Sequence, residues 1–432
     1  MISLRCTPLT FLLTGFAWLL LSALLAIATL IGMVKGTPLP SWWKTIHVHG
    51  ALVGGLLQLV IGGFFLSLAR SSELKDPYSE SRPRLFLTLN VAAVALLVGF
   101  WLGQMMLVGL AGLVLIGVVL SLLQTLWPHV QEDLNRPAGA GWIYRAALIA
   151  LLIGLAIGVA MAFRLSQTYY GHARLLHIHL IVLGFLTVTF VVALHQLIPA
   201  VVQKELANLQ IARLAIWSLP IGFAVLLAGF VTSSVSFEIA VGSVLLLGVG
   251  ICTFNLIITW VRSGLPGNAA SDHLLIGVFF LLLATFTGLA MGANYLQNPP
   301  FLPIGSLHLV AYTHLTFIGF MVQSTCGALS YSLPIVLALS RVPNSKKREP
   351  YRAQLEAIMN RWRTVQLGAM SFGTMGLSVL ATLTWSLSLG SLYVQGAVWI
   401  TAGLLLLSLA LFTAKLAWAV GLQPTQQSLT DT

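Results

Sequence analysis

"GHARLLHIHLIVLGFLTVTF", Gly171–Phe190, opens with four ionisable side chains, His172, Arg174, His177 and His179, and then runs apolar to its end. The apolar character continues to about residue 200. A run of about 20 mostly apolar residues is what a helix needs to cross the hydrocarbon core of a bilayer. The stretch therefore reads as a spanning helix with histidines at its mouth and one of them carried inside. Ionisable side chains within such helices are costly and point to function.

The rest of the chain has the same character. Its 432 residues are 58% hydrophobic and 8% charged, with a mean hydropathy of +0.94. A soluble domain carries roughly 25% charged residues, so these charges are too few to coat a water-facing surface. Twelve apolar runs are long enough to span, at about 10–34, 46–69, 84–104, 105–127, 142–164, 173–200, 211–232, 237–261, 273–295, 306–336, 364–387 and 393–418. The third and fourth are one long run that must turn tightly at Gly103–Met106. Membrane β-barrels show alternating segments of roughly ten residues, and these runs are continuous. The expected fold is an all-α integral membrane protein of twelve transmembrane helices embedded in a lipid bilayer. The first run is too long for the apolar part of a signal peptide and reads as a retained helix. Cys6, Cys252 and Cys326 lie far apart and suggest neither a disulfide framework nor a cysteine metal site.

The net charge of +11 could suggest nucleic acid, but its distribution does not. With the N-terminus inside, every Lys and Arg except Lys35, Lys44, Arg164 and Arg174 falls on one side. That is the positive-inside bias. It implies that both termini lie in the cytoplasm; a bacterial cytoplasmic membrane is the expected location, and no nucleic-acid partner is expected. The basic loop "SRVPNSKKREPYRAQLEAIMNRWR", Ser340–Arg363, reads as a topology anchor on anionic lipid.

The histidine-bearing stretch is repeated. "HVHGALVGG" starts at His47, "HIHLIVLGF" at His177 and "YTHLTFIGF" at Tyr312. His49, His179 and His314 are separated by 130 and 135 residues, and four apolar runs fit each interval. The chain thus reads as three pseudo-symmetric arcs of four helices, about 1–135, 136–265 and 266–432, within one membrane domain. The motif lies on the second helix of each arc. Helices 2, 6 and 10 all run from outside to inside, so the three motifs share one depth in the outer part of the membrane and can converge on a common cofactor plane.

Taken singly, each of these histidines reads as an interfacial residue bonded to loops and headgroups. Taken together they read as ligands, since neutral imidazole is the commonest metal ligand. Residues i and i+2 differ by about 200° around a helix, so only one of each pair can face a given cofactor. The repetition favours the second. Glycines at Gly54, Gly184 and Gly319 suit the close approach of a flat group or a neighbouring helix. All eleven acids lie in loops or near helix ends, including Glu73, Asp76, Glu132, Asp133 and Asp431. A zinc hydrolase needs a nearby carboxylate, whereas haem takes neutral axial imidazoles.

Twelve helices with such motifs on helices 2, 6 and 10 resemble the catalytic subunit of the haem–copper oxidases and nitric oxide reductases, nearest the cbb-type branch. The NnrS-type membrane haem proteins are a second match. The resemblance implies one or two haem b groups, with His49 and His314 as axial ligands of a low-spin haem. Where the family has the histidine of a second haem stands Tyr312, and His308 lies four residues before it on the same helix face. Helix 6 would supply a copper ligand, His177 or His179. The seventh run, "IARLAIWSLPIGFAVLLAGFVTSS", lacks the family's histidine pair, so a copper site would be incomplete unless His47, His172 or His308 rebuilt it. Without carboxylates in the membrane core, proton pumping is not expected. The function implied is respiratory electron transfer or nitric oxide and oxygen chemistry, with a donor cytochrome or other respiratory subunits as partners. The alternatives are a non-enzymatic NnrS-like protein handling nitric oxide or metal, and a transporter of a small solute or metal.

Other residues read more simply. Arg174 suits a haem propionate or an interfacial anchor. Trp42, Trp43, Tyr169 and Tyr170 read as an aromatic belt. His195 lies about 24 Å along the helix from His179, apart from the motif. His129 and His273 read as loop or helix-end residues. Gln58, Asn90, Asn255, Asn294 and Gln323 read as interhelical hydrogen-bond partners.

Overall fold

The computed structural model describes residues 6–37, 39–40, 42–71, 80–126 and 140–424. His129, Glu73, Asp76, Glu132, Asp133 and Asp431 lie outside the described residues. Among the described residues, twelve helices are long and apolar enough to cross a membrane, and none of these residues forms strand. This is the all-α integral membrane fold that the composition requires. In hydrocarbon every backbone N–H and C=O needs an internal partner, and a helix supplies one within its own segment.

The spanning helices are α1 (Pro8–Val34), α2 (42–71), α3 (Arg82–Leu102), α4 (Met105–Leu126), α5 (Ala140–Ala162), α6 (170–202), α7 (Leu209–Thr232), α8 (Val235–Ser263), α9 (Ala269–Tyr295) and α10 (306–341). A shorter helix, α11 (Ser345–Asn360), precedes α12 (Arg363–Leu383) and α13 (Leu392–Gly421). The chain divides into two compact units, residues 1–192 with 216–241 and residues 193–215 with 242–432.

Local sequence explains the boundaries. Thr7 and Pro8 open α1, with proline where a helix has no N–H to bond. Gly103 ends α3 in the left-handed region at φ 65°. Its N–H bonds the Phe100 carbonyl, and the Gln104 N–H bonds Gly99. The tight turn expected there is therefore a glycine-closed helix end. Asn268 opens α9 by accepting from the Ser271 N–H, while Ser271 Oγ accepts from the Asn268 N–H.

Two features depart from the sequence reading. The second and sixth spanning helices begin earlier than their apolar runs, at Trp42 and at Tyr170, the latter after a short 3₁₀ turn at Gln167–Tyr169. The histidines at these mouths bond to carbonyls, so polar residues are accommodated inside helix. The basic loop holds α11. The Asn344 side chain accepts from the Lys346 N–H, and Tyr351, Leu355, Ile358 and Met359 form a buried stripe at helical spacing. Arg341 pins the region by donating to Tyr351 Oη and to the carbonyls of Val420 and Leu422.

Cys6, Cys252 and Cys326 are all free and buried. Burial pushes the Cys6 thiol up, against an opposing pull from Arg82. Since the thiolate is the reactive form, native protein in mild detergent is expected to resist a maleimide reagent and to take up label at all three cysteines after SDS denaturation. Rapid labelling of the native protein would contradict this packing.

Candidate functional site

The sequence repeat is reproduced in the helix geometry. Immediately after His49, His179 and His314, the backbone enters an eight-residue π-helical segment: Gly50–Leu57, Leu180–Thr187 and Leu315–Val322. Among the described residues π-helix occurs only in these three places. π-Helix is rare, mostly confined to single turns, and frequent at functional sites.

The second histidine of each motif makes the same bond. The Nδ1 of His49 lies 2.9 Å from the Thr45 carbonyl, that of His179 2.8 Å from Leu175, and that of His314 2.7 Å from Val310. A carbonyl can only accept, so each ring carries its proton at Nδ1, and a neutral ring then has its lone pair at Nε2. Phenylalanines flank two of the rings, with centroid separations of 4.6 Å for His49 and Phe100 on α3, and 4.4 Å for His179 and Phe230 on α7.

The first member of each motif faces the preceding helix instead. His47 Nδ1 donates to the Ser22 carbonyl of α1, and His177 Nδ1 to the Gly154 carbonyl of α5, both at 2.7 Å. Tyr312 lies against Gly288 of α9, where an added Cβ would stand 2.9 Å from the phenolic oxygen. The two members of each motif therefore have different surroundings, as the 200° rule requires.

The glycine five residues on admits a neighbouring helix. A Cβ at Gly54 or Gly319 would meet the Trp18 or Phe280 ring at 2.5 Å, and one at Gly184 would meet Phe223 at 2.7 Å and Ala150 at 2.9 Å. Trp18 also donates to the Asn90 side chain at 3.0 Å, tying α1 to α3.

The remaining candidates are held separately. His172 Nε2 bonds Ser233 Oγ at 2.8 Å. His308 Nδ1 accepts the Gly305 N–H at 3.2 Å, and its ring stacks on Trp385 at 5.2 Å. A neutral His308 therefore carries its proton at Nε2. Arg174 is exposed. Trp43 donates to the Leu25 carbonyl, whereas Tyr169 and Tyr170 are exposed. Among the described residues, no three His, Cys, Asp or Glu side chains gather as a metal-binding group.

The sequence reading missed two environments. His195 is buried beside Cys252, with Nε2 and Sγ 3.8 Å apart. His273 lies near the N-terminal end of α9, as a helix-end residue would, but is buried there and bonded to Gln323 and Gln366. Of the polar residues read as interhelical partners, Asn90 and Gln323 serve that role. Asn255 and Asn294 bond loop backbone, and Gln58 has no hydrogen-bond partner among the described residues.

No protein-family model and no curated protein matches the chain.

The glycine contacts are testable in the full chain in detergent. Gly54→Ala and Gly319→Ala are expected to destabilise by about 1–3 kcal/mol, the usual cost of overpacking, read as a lowered unfolding midpoint. Gly63→Ala, where an added Cβ meets nothing within 4 Å, should leave the midpoint unchanged or slightly raised.

Proposed function

We propose that the chain is a haem-binding redox protein of the membrane, related to the haem–copper oxidases and nitric oxide reductases. The supporting observation is the threefold recurrence of one imidazole arrangement at one register: Nδ1 bonded to the carbonyl a turn back, and a π segment starting at the next residue. A metal-binding imidazole usually gives its other ring N–H to a carbonyl or carboxylate, which fixes the tautomer and raises ligand basicity. His49, His179 and His314 are prepared in that way, and their donor chemistry fits haem iron. His47 and His177 tie the motif-bearing helices to α1 and α5, and Phe100 and Phe230 hold two of the rings in orientation.

Haem held by these imidazoles would supply a one-electron centre and could offer iron to a diatomic gas. The distribution of Lys and Arg supports a chain with both termini in the cytoplasm, the motif ends of α2, α6 and α10 outward, and a donor cytochrome or another respiratory subunit as partner. The π segments recur at histidines rather than as broken helices around buried charges, the usual mark of a transporter. This favours redox or gas-binding chemistry over solute transport.

The decisive measurement is the reduced-minus-oxidised spectrum of full-length protein produced with ample haem, together with metal analysis. Low-spin haem bands are expected, and His49→Ala and His314→Ala should each lose them. A spectrum without haem bands would sink the proposal. Full bands in either variant would remove that residue from the ligand set. Copper content separates an oxidase-like centre from a haem-only NnrS-like one.

A further inference from the structure

A second polar construction lies wholly within the second unit and is untouched by the haem reading. His273 on α9, Gln323 on α10, Gln366 on α12 and Lys415 on α13 are each at most 1% exposed. They form one continuous chain. Lys415 Nζ donates to Gln366 Oε1 at 2.5 Å and to the Met359 carbonyl at 3.1 Å. Gln366 Nε2 lies 3.1 Å from His273 Nε2. His273 Nδ1 bonds Gln323 Oε1, and Gln323 Nε2 donates to Ser371 Oγ at 3.1 Å.

The direction of this chain follows from chemistry alone. A lysine ammonium has three donors and no acceptor, so the Gln366 atom facing it must be oxygen. The amide nitrogen then faces His273, whose Nε2 must accept. The ring proton is therefore at Nδ1, and Gln323 must turn its oxygen toward it. One charged group sets every orientation, and it leaves His273 neutral.

The reverse arrangement is equally satisfied. If His273 is an imidazolium, its Nε2–H needs an acceptor, so Gln366 must turn over and present Oε1. Its NH₂ then faces Lys415, which must be a neutral amine that accepts from Gln366 and still donates to Met359. The amide has one oxygen, and the two bases sit at opposite prongs of it, so both cannot be charged.

The surrounding groups do not relieve this. Cys326 of α10 is a free, buried thiol, and Phe412 of α13 packs near the His273 ring at 6.5 Å. Asp272 of α9 pairs with Arg363 of α12 at 3.6 Å. Arg361 stacks on Trp362 and Trp418. Among the described residues no carboxylate pairs with Lys415.

We propose that α9, α10, α12 and α13 enclose a buried site that carries one exchangeable proton, held by either Lys415 or His273, with Gln366 turning over between the two states. The step balances. Lys415 Nζ loses a proton, His273 Nε2 gains one, and the enclosed charge stays at one. An ionisable pair inside membrane-spanning helices is a functional candidate by default, and coupled groups of this kind titrate as a pair.

The test counts protons bound by the full chain in detergent between pH 8 and pH 5. Wild type and His273→Gln are expected to bind equal numbers, because the lysine already holds the charge. Lys415→Met should bind one more than the Lys415→Met/His273→Gln double variant, because the charge moves to the histidine. An extra proton in wild type over His273→Gln, or equality of Lys415→Met with the double variant, overturns the proposal. If Lys415→Met does not fold, ¹⁵N-histidine and ¹⁵N-lysine spectra of wild type at pH 5 decide instead, with His273 assigned through His273→Gln and Lys415 through Lys415→Arg. One charged partner supports the site, and imidazolium beside ammonium refutes it.

Discussion

The bond from an imidazole Nδ1–H to the carbonyl one turn back allows a histidine to sit inside these helices. Within a bilayer a ring N–H has no water to bond, and a buried donor left alone costs about 1–3 kcal/mol. The helix's own carbonyl removes that cost at His49, His179 and His314. It also settles the tautomer, so the lone pair lies at Nε2, on the edge of the ring turned away from the backbone.

The π segments and the glycines belong to this arrangement. In a π-helix each N–H reaches one residue farther back than in an α-helix, so the side chains that follow are rotated relative to those before. In each motif helix this change begins at the residue after the histidine. Gly54 and Gly319 lie within these segments, where Trp18 of α1 and Phe280 of α9 press against the backbone. A side chain there would push the preceding helix away, and with it the Ser22 carbonyl that holds His47 in the first repeat. Ring orientation, helix type and helix separation are thus set together.

The spans were readable because length and apolarity act directly on a helix in a bilayer, and the turn at Gly103 because only glycine takes φ 65° without cost. The histidine positions were readable from their spacing. The π-helix was not, since which carbonyl each N–H chooses leaves no mark in composition. In α11 a dense run of charges hid the stripe of Tyr351, Leu355, Ile358 and Met359. His273 and Lys415 each stand near the end of an unremarkable apolar run, and only tertiary packing puts the single amide of Gln366 between them.

The repeats also show where the two polar systems part. Gln58 and Gln323 both stand nine residues after the motif histidine. Trp18 and Phe280 cover the equivalent glycines, and seven residues before each lie Phe11 and His273. In the third repeat the glutamine meets an imidazole and joins a chain that ends on Lys415. In the first repeat the corresponding side chain is Phe11, packed against Phe65 and Phe86, and Gln58 remains fully buried with neither amide atom bonded among the described residues. The histidine geometry near the start of each motif helix is common to all three copies, whereas the polar chain farther along requires an imidazole opposite the glutamine, which the first copy lacks. The arrangement proposed to hold haem therefore belongs to the repeat itself. The proton site belongs to one copy of it, and the two can be altered independently.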